Sequence, residues 1–296
     1  MSRIIFFGSS EFSVFALRAL IEANIAILVV ITVPDKPAGR GKKMDMSPVK
    51  KYLTSPSERD RDEVSILQPE KLDSDFLLQI TNLKLDIGVV ASYGKIIPKA
   101  LLDLFPCGVL NIHPSLLPLY RGASPLQSTI LNGDTETGVT IMLVDEKMDH
   151  GPILTQKKFD ITNYESSSKE KINLLSLHDE LAKLGAELLL ETLSRWLSGK
   201  IVPMPQDELH TTFTKMIKKE DGLIDWSKSP EHIERMVRAY NPWPGTYTKL
   251  KSGKTLKIKK VEIINGELKL LVVQPEGKKE MPGDAYLRGN KNIFEK

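Results

Sequence analysis

Asn111 and His113 lie two residues apart at the carboxyl end of a strand-like apolar run, Val109 to Ile112. Side chains of an extended chain alternate in direction, so these two share a face. A carboxamide donor beside an imidazole can polarise a carbonyl and stabilise the negative charge that appears when that carbonyl is attacked. Asp149, in the segment VDEKMDHGP after a later strand-like run, adds a carboxylate that can orient His113 or relay a proton. These are the parts needed for acyl transfer to an amine without a covalent intermediate. Each residue also has an ordinary structural reading, because Asn and His hydrogen-bond at strand ends and Asp before Gly-Pro caps turns. Spacing alone leaves both open.

Such residues need a frame, and the first half of the chain supplies one by alternating strand-like and helix-like segments. Arg3 to Phe7 is β-rich and is followed by the helical pattern Phe12, Phe15, Ala16, Ala19, Leu20. Ile25 to Thr32 reads as a strand buried on both faces, then come helix-like Pro48 to Leu53, strand-like Val64 to Leu67 and a helix around Phe76 to Ile80. Asp86 to Ala91 and Val109 to Ile112 are two more buried-strand signals, with a short helix at Leu101 to Phe105 between them. This alternation predicts a parallel sheet with helices on both faces, whose strands hold ligands at their carboxyl ends. Thr137 to Val144 and Ile153 to Ile161 read as later strands of that sheet, closed by a long amphipathic helix from Leu177 to Leu197.

Around residues 200–208 two prolines and a lack of periodicity mark a linker. Beyond it a helix at Glu231 to Tyr240 precedes short strands at Tyr247 to Leu250, Leu256 to Ile264 and Leu268 to Val273, separated by Ser-Gly and Asn-Gly turns. That is an antiparallel β module, for which a small open barrel is the commonest soluble form. The expected division is therefore 1–199, a linker 200–208, and 209–296.

Several chemistries are excluded by what is missing. Gly8-Ser9-Ser10 follows the first strand, but the three-glycine dinucleotide fingerprint is absent and no acidic residue ends the second strand. There is no phosphate-cradling Gly-Lys-Ser loop, no paired metal-binding histidine motif and no nucleophile elbow, so no metal is expected. Cys107 is the sole cysteine and reads as a small half-buried hydrophobe beside a turn. Across 296 residues, 41% hydrophobic and 27% charged content is that of a globular chain. The longest apolar run, Ile25 to Val33, is strand-sized, and the N-terminus carries no leader pattern, so a cytoplasmic setting without membrane attachment is expected. Net charge is only +3, yet basic residues cluster at Lys36 to Lys51, Lys249 to Lys260 and Lys278 to Lys279, which favours a polyanionic partner.

The stretch LNIHPSLLPLYRGASP, followed by VDEKMDHGP, resembles the folate-dependent formyltransferases, whose pattern is Asn-x-His, then Ser-Leu-Leu-Pro, then Asp-x-Gly. The resemblance covers nearly the whole chain. ASYGKIIP (Ala91 to Pro98) supports it, and PDKPAGRGKKM (Pro34 to Met44), AYNPWPG (Ala239 to Gly245) and QPEGKKEM (Gln274 to Met281) narrow it to the members that formylate methionyl-tRNA. It implies a Rossmann-like formyltransferase domain followed by an OB-like barrel that offers a basic surface to tRNA. It implies catalytic roles for Asn111, His113 and Asp149, and 10-formyltetrahydrofolate as the formyl donor. Ser115, Leu116, Leu117 and Pro118 would contact the folate. Tyr93, Gly94, Lys95, Ile96 and Ile97, with the segment from Asp145 to Met148, would form its pterin pocket. Ile97 is equally compatible with plain core packing. Arg40, Lys42 and Lys43, in a loop too polar and Gly-rich for core or regular structure, would meet the charged initiator tRNA; no obligate protein partner is implied.

The chain departs from the family pattern at Ser55 to Glu63 and Gln79 to Leu83. The His-Pro-Ser form also occurs in members acting on glycinamide ribonucleotide, so it is neutral on the acceptor. Two rivals stay on the table: the same chemistry on a small nucleotide-sugar or ribonucleotide amine, and a non-catalytic RNA-binding relative. A small acceptor needs neither the C-terminal module nor the basic loop.

Overall fold

The computed structural model describes residues 2–38, 43–55 and 64–290. The described chain divides into two compact units, each discontinuous in sequence. One is drawn from Met1–Arg121, Gly138–Phe159 and Asp179–Thr212, the other from Gly122–Thr137, Asp160–His178 and Phe213–Lys296. The continuous division expected from the sequence follows the change in local pattern rather than this spatial grouping.

The chain begins with β1 (Ile4–Gly8), α1 (Glu11–Glu22) and β2 (Ile27–Ile31), then the paired short strands β3 (Lys36–Ala38) and β4 (Lys43–Asp45). It continues through α2 (Pro48–Leu53), β5 (Ser65–Leu67), α3 (Ser74–Thr81), β6 (Ile87–Ala91), α4 (Lys99–Leu102) and β7 (Val109–His113). After the two-residue β8 (Arg121–Gly122) come α5 (Pro125–Asn132), β9 (Glu136–Leu143), β10 (Ile153–Asp160), α6 (Ile161–Ser168) and α7 (Leu174–Leu197).

The main sheet has seven strands in the order β10-β9-β7-β6-β1-β2-β5. Strands β5, β2, β1, β6 and β7 run parallel, and β9 lies antiparallel against β7. Its inner strands are β-branched and aromatic because both faces are covered: Ile4 to Phe7 are all buried, and Ile5, Phe7, Val29, Ile31 and Val109 share a core with Phe76, Ile80 and Leu101. Since β2 and β5 extend the sheet to one side of β1 while β6 and β7 extend it to the other, the strand order reverses at β1. The loops at the carboxyl ends of β1, β6 and β7 therefore border the crevice where such sheets take ligands. The Ser13 hydroxyl ties two of those loops together by donating to the Ala91 carbonyl while accepting from the backbone N–H groups of Ser9 and Ser10. Gly8 is needed here, because a Cβ would meet the Ser13 side chain at 2.6 Å.

The second unit is built on a four-stranded antiparallel sheet, β12 (Thr246–Lys249), β13 (Thr255–Ile264), β14 (Glu267–Pro275) and β15 (Met281–Pro282), preceded by the two-residue β11 (Phe213–Thr214). The Asn-Gly turn anticipated in the sequence joins β13 to β14, with Asn265 and Gly266 both at positive φ as that hairpin turn requires. Helix α8 (Pro230–Tyr240) lays Ile233, Met236 and Val237 into the unit's interior and packs on β13 and α5, and α9 (Gly283–Arg288) packs on β14. Arg238 grips Glu234 with two hydrogen bonds of 2.6 and 3.0 Å and reaches the Ile172 carbonyl, which closes α8 on the segment after α6.

Three helices have no periodic signal in the sequence. In α6 only Ile161 is buried, and the helix starts because Asp160 caps it through the Asn163 N–H. Helices α5 and α9 are short; α5 carries Pro125 in its first turn and left-handed Gly133 at its end. The loop expected to be irregular over Lys36 to Lys43 has ordered flanks, because Lys36–Ala38 and Lys43–Asp45 pair antiparallel.

Helix α7 crosses the sheet directly behind the strand that carries Asn111 and His113. A Cβ on Gly185 would lie 2.8 Å from the Ile112 side chain and 3.3 Å from that of Val139. A helical Gly→Ala change ordinarily gains about 1 kcal/mol. Gly185→Val should instead lower the unfolding free energy by about 1–3 kcal/mol, the usual cost of overpacking. Denaturant titration measures it, and an unchanged or raised midpoint would contradict this packing.

Candidate active site

Strand β7 has neighbours on both sides, β6 parallel and β9 antiparallel, with Asn111 opposite Met142 and His113 opposite Thr140. Val109, Leu110 and Ile112 anchor it in the core, while Asn111 is half-buried and His113 only 4% exposed. The alternation read from the sequence thus places the amide and imidazole on one face of an interior strand.

Asp149 arrives from the connection between β9, the neighbour of β7, and β10. The chain leaves β9 at Leu143 and must turn back to begin β10 at Ile153. It does so with Asp149 in the left-handed region, φ 49°. Gly151 passes so close to the Leu143 carbonyl oxygen that no Cβ could be fitted there. The result brings the three residues together. Asp149 Oδ1 lies 3.5 Å from Asn111 Nδ2, which donates to it, and Oδ2 lies 3.6 Å from His113 Nδ1. The other ring nitrogen, Nε2, lies 3.0 Å from the Tyr120 carbonyl, which can only accept, so the proton of that bond is on Nε2. The Asn111–Asp149 distance is at the outer limit of hydrogen bonding, and the His113–Asp149 distance lies just beyond it, within ion-pair range.

The segment after His113 is held by a hub. Thr140 Oγ1 donates to the Ser115 carbonyl at 2.7 Å and accepts from the Leu117 N–H at 3.1 Å and from Gln156 Nε2 at 2.9 Å. Gln156 also donates to the Leu117 carbonyl, and the Ser115 hydroxyl donates to that of Leu119. Ser115 and Leu117 are therefore buried and fixed, with Leu116 and Pro118 half-buried between and beside them.

The residues expected to line a pterin pocket divide by exposure. Tyr93 and Ile97 sit in the core of the sheet, Tyr93 edge-on to Phe7 at 5.6 Å. The Tyr93 hydroxyl is buried without a partner, and its burial pushes the phenol pKa up to about 12. Gly94 is left-handed and faces open space, and Lys95 donates to the carbonyls of Pro69 and Glu70. Desolvation, with Lys36 nearby, draws the Lys95 ammonium below its ordinary range. Ile96 is 79% exposed and Met148 is 60% exposed. Asp145 binds His150 Nδ1 and the Lys147 N–H. Of the basic-loop residues, Arg40 and Lys42 lie outside the described residues, and Lys43 begins β4. Among the described residues no group of three or more His, Cys, Asp or Glu could hold a metal ion, and no helix is long and apolar enough to cross a membrane.

Sequence reading missed Gln206, Arg121 and Glu208. Gln206 donates to the carbonyls of Asp149 and Gly151 and accepts from Arg121, whose guanidinium also holds Glu208. Their signal is weak: Gln206 lies in a proline-containing segment without periodicity, and Arg121 sits inside LNIHPSLLPLYRGASP with nothing local to mark it as buried.

The family model for formyl transferase matches residues 2–193, and that for the formyl transferase C-terminal domain matches residues 216–269. A methionyl-tRNA formyltransferase of Chloroflexus aurantiacus is 42% identical over 313 aligned positions, covering 97% of this chain and 96% of that protein. Among solved structures, the methionyl-tRNA formyltransferase from Clostridium thermocellum superposes with a TM-score of 0.61 at 17% identity, covering 93% of this chain and 99% of that one. HypX from Aquifex aeolicus, solved in complex with tetrahydrofolic acid, gives a TM-score of 0.62 at 18% identity; it covers 96% of this chain, which spans 46% of HypX.

The Thr140 hub is open to direct test. Thr140→Val keeps the shape but removes one donor and one acceptor at a fully buried position. The stranded partners should cost about 1–3 kcal/mol of unfolding free energy. A denaturation midpoint equal to that of the unaltered protein would show that the Ser115–Leu117 segment is held by something else.

Proposed function

The chain belongs to the formyl transferase family, and from that membership we propose how its residues divide the work of passing a formyl group from 10-formyltetrahydrofolate to the free α-amino group of initiator methionyl-tRNA. The observation that carries the proposal is the meeting of Asn111, His113 and Asp149, from a strand and a distant loop, at the end of an interior strand of the sheet. The relatives' name supplies the acceptor, and the trio supplies the chemistry.

In this reading Asn111 donates toward the formyl oxygen through its second amide hydrogen, and His113 does so by exchanging its Nε2–H from the Tyr120 carbonyl to the substrate. Both stabilise the negative charge that develops there as the amine attacks. Asp149 receives the proton that the attacking amine must lose, directly or through water, and keeps His113 oriented. The tetrahedral intermediate then collapses, the bond from the formyl carbon to N10 breaks, and tetrahydrofolate leaves as its N10 takes up a proton. The folate is a substrate held in the crevice bordered by the loops after β1, β6 and β7. The backbone of Tyr93 to Ile97 and of Ser115 to Pro118 offers donors and acceptors to its polar edge, with Asp145 beside them. Ile96 and Met148 fit the role of covering a flat heterocycle, since both are apolar and exposed. Tyr93 and Ile97 support the pocket from the core, where their side chains pack.

The functional division proposed is a folate-binding and catalytic segment 1–199, a linker 200–208 and a tRNA-binding segment 209–296. Lys257, Lys260 and Lys269 stand at exposed positions of β13 and β14, and Lys278 and Lys279 are exposed just beyond β14, a surface suited to phosphates. Such a substrate fits a cytoplasmic enzyme.

His113→Ala and Asp149→Asn should each lower kcat by about two to four orders of magnitude. The thermal shift produced by a folate analogue should persist in both variants, because neither removes the pocket. Near-normal turnover in either would remove that residue from the mechanism.

For Arg40 and Lys42 the proposal is binding to tRNA phosphates or bases. Replacing both with Ala should raise KM for methionyl-tRNA and flatten its salt dependence, because a protein that neutralises fewer phosphates displaces fewer counterions when it binds. Folate affinity should stay the same. Steady-state kinetics across a salt series measures this, and identical tRNA kinetics at every salt concentration would reduce the loop to a solvated surface.

A further inference from the structure

Gln206 lies between Pro205 and Asp207 in the segment read from sequence as a linker, yet it is only 9% exposed. Its amide is fully employed. Nε2 donates one hydrogen to the Asp149 carbonyl at 2.9 Å and the other to the Gly151 carbonyl at 2.8 Å. Oε1 accepts from Arg121 Nε at 2.9 Å. Because two carbonyls can only accept and a guanidinium can only donate, the amide has one permitted orientation.

Arg121 is itself 2% exposed, among the largest fully buried side chains of the protein. A buried guanidinium needs a counter-charge, and Glu208 supplies it through two hydrogen bonds of 2.7 and 3.2 Å. The Arg121 bond holds the Glu208 carboxyl below the ordinary carboxylate range. Glu208 also lies 3.7 Å from His150 Nε2, while His150 Nδ1 meets Asp145. The loop between β9 and β10 is thus grasped at its backbone by Gln206 and at His150 by Glu208, while Asp145, within the same loop, holds the other ring nitrogen.

This grasp falls where the loop is strained. Asp149 is a non-glycine residue at φ 49°, a conformation that persists only where the surroundings over-determine it. Gln206 binds the carbonyls on both sides of His150, so rotation of either peptide would break one of its bonds. The direction of the Asp149 carboxylate toward His113 and Asn111 follows from that backbone.

We propose that Gln206, oriented by the buried Arg121 that Glu208 holds from the surface, is a positioning residue for Asp149: it holds the left-handed turn that aims the carboxylate at His113. The proposal rests on the reading of Asp149 as catalytic. It makes the proline-containing segment after α7 a working part of the active site rather than a spacer. Loss of the amide should let the carboxylate drift, and drift of about an ångström can cost two orders of magnitude in rate.

The test is a double-mutant cycle in the full-length protein, with Gln206→Met, Asp149→Asn and both together. Kinetic constants are measured for methionyl-tRNA and for 10-formyltetrahydrofolate. Gln206→Met should lower kcat about 10- to 100-fold with both KM values changed less than about threefold. In the Asp149→Asn background the same substitution should cost less than about threefold, because the group it positions is already gone. A full multiplicative loss in the double variant, or an unchanged kcat in the single one, overturns the positioning role. Near-normal turnover of Asp149→Asn alone overturns instead the reading on which it rests. Should Gln206→Met fail to fold, Glu208→Ala carries the same cycle at a surface position, with an expected kcat loss of about 3- to 10-fold that vanishes beside Asp149→Asn.

Discussion

A carboxylate brought to the end of an interior strand is the constraint on which the rest of this structure turns. Asn111 and His113 are fixed by β7, whose neighbours on both sides leave it no freedom. Asp149 has no such strand beneath it. It reaches the pair because the chain reverses between Leu143 and Ile153 through a left-handed residue and a glycine with no room for a Cβ. Without that reversal the trio is a dyad and a distant acid.

The surrounding architecture can be understood as support for this meeting. The buried strands make the sheet rigid, and Gly185 lets α7 press against Ile112 between the two β7 side chains of the site. Thr140, opposite His113 on β9, uses its one hydroxyl to fasten the segment that follows. Polar groups this deeply buried are costly unless satisfied, and among the described residues nearly every such side chain has a partner. The Tyr93 hydroxyl, buried in the core of the sheet, is an exception.

What was legible in the sequence was what periodicity and turn chemistry encode. Continuous apolar runs marked the inner strands, period two put Asn111 and His113 on one face, and Asn265-Gly266 announced its hairpin. Helix α6 was hidden because only one of its residues is buried, so it carries no apolar stripe. Gln206 was hidden for a related reason. Its importance comes from two carbonyls more than fifty residues earlier in the chain, and nothing local distinguishes it from a surface amide. Arg121 was likewise concealed, since burial of an arginine is set by a distant carboxylate rather than by its neighbours in sequence. The aliphatic residues of the proposed pterin pocket show the same limit: Ile96 and Ile97 are adjacent, yet one is exposed and the other belongs to the core.

The central claim is that this arrangement moves a formyl group from a reduced folate to the amine of an aminoacyl-tRNA. The direct measurement is transfer of an isotopically labelled formyl group from 10-formyltetrahydrofolate by the purified protein, offered methionyl-tRNA and small nucleotide-linked amines in competition. The account predicts label in N-formylmethionyl-tRNA, dependence on the free α-amino group, and negligible label in the small amines. Label appearing in a small amine while methionyl-tRNA stays unmodified, or no transfer at all, would contradict it.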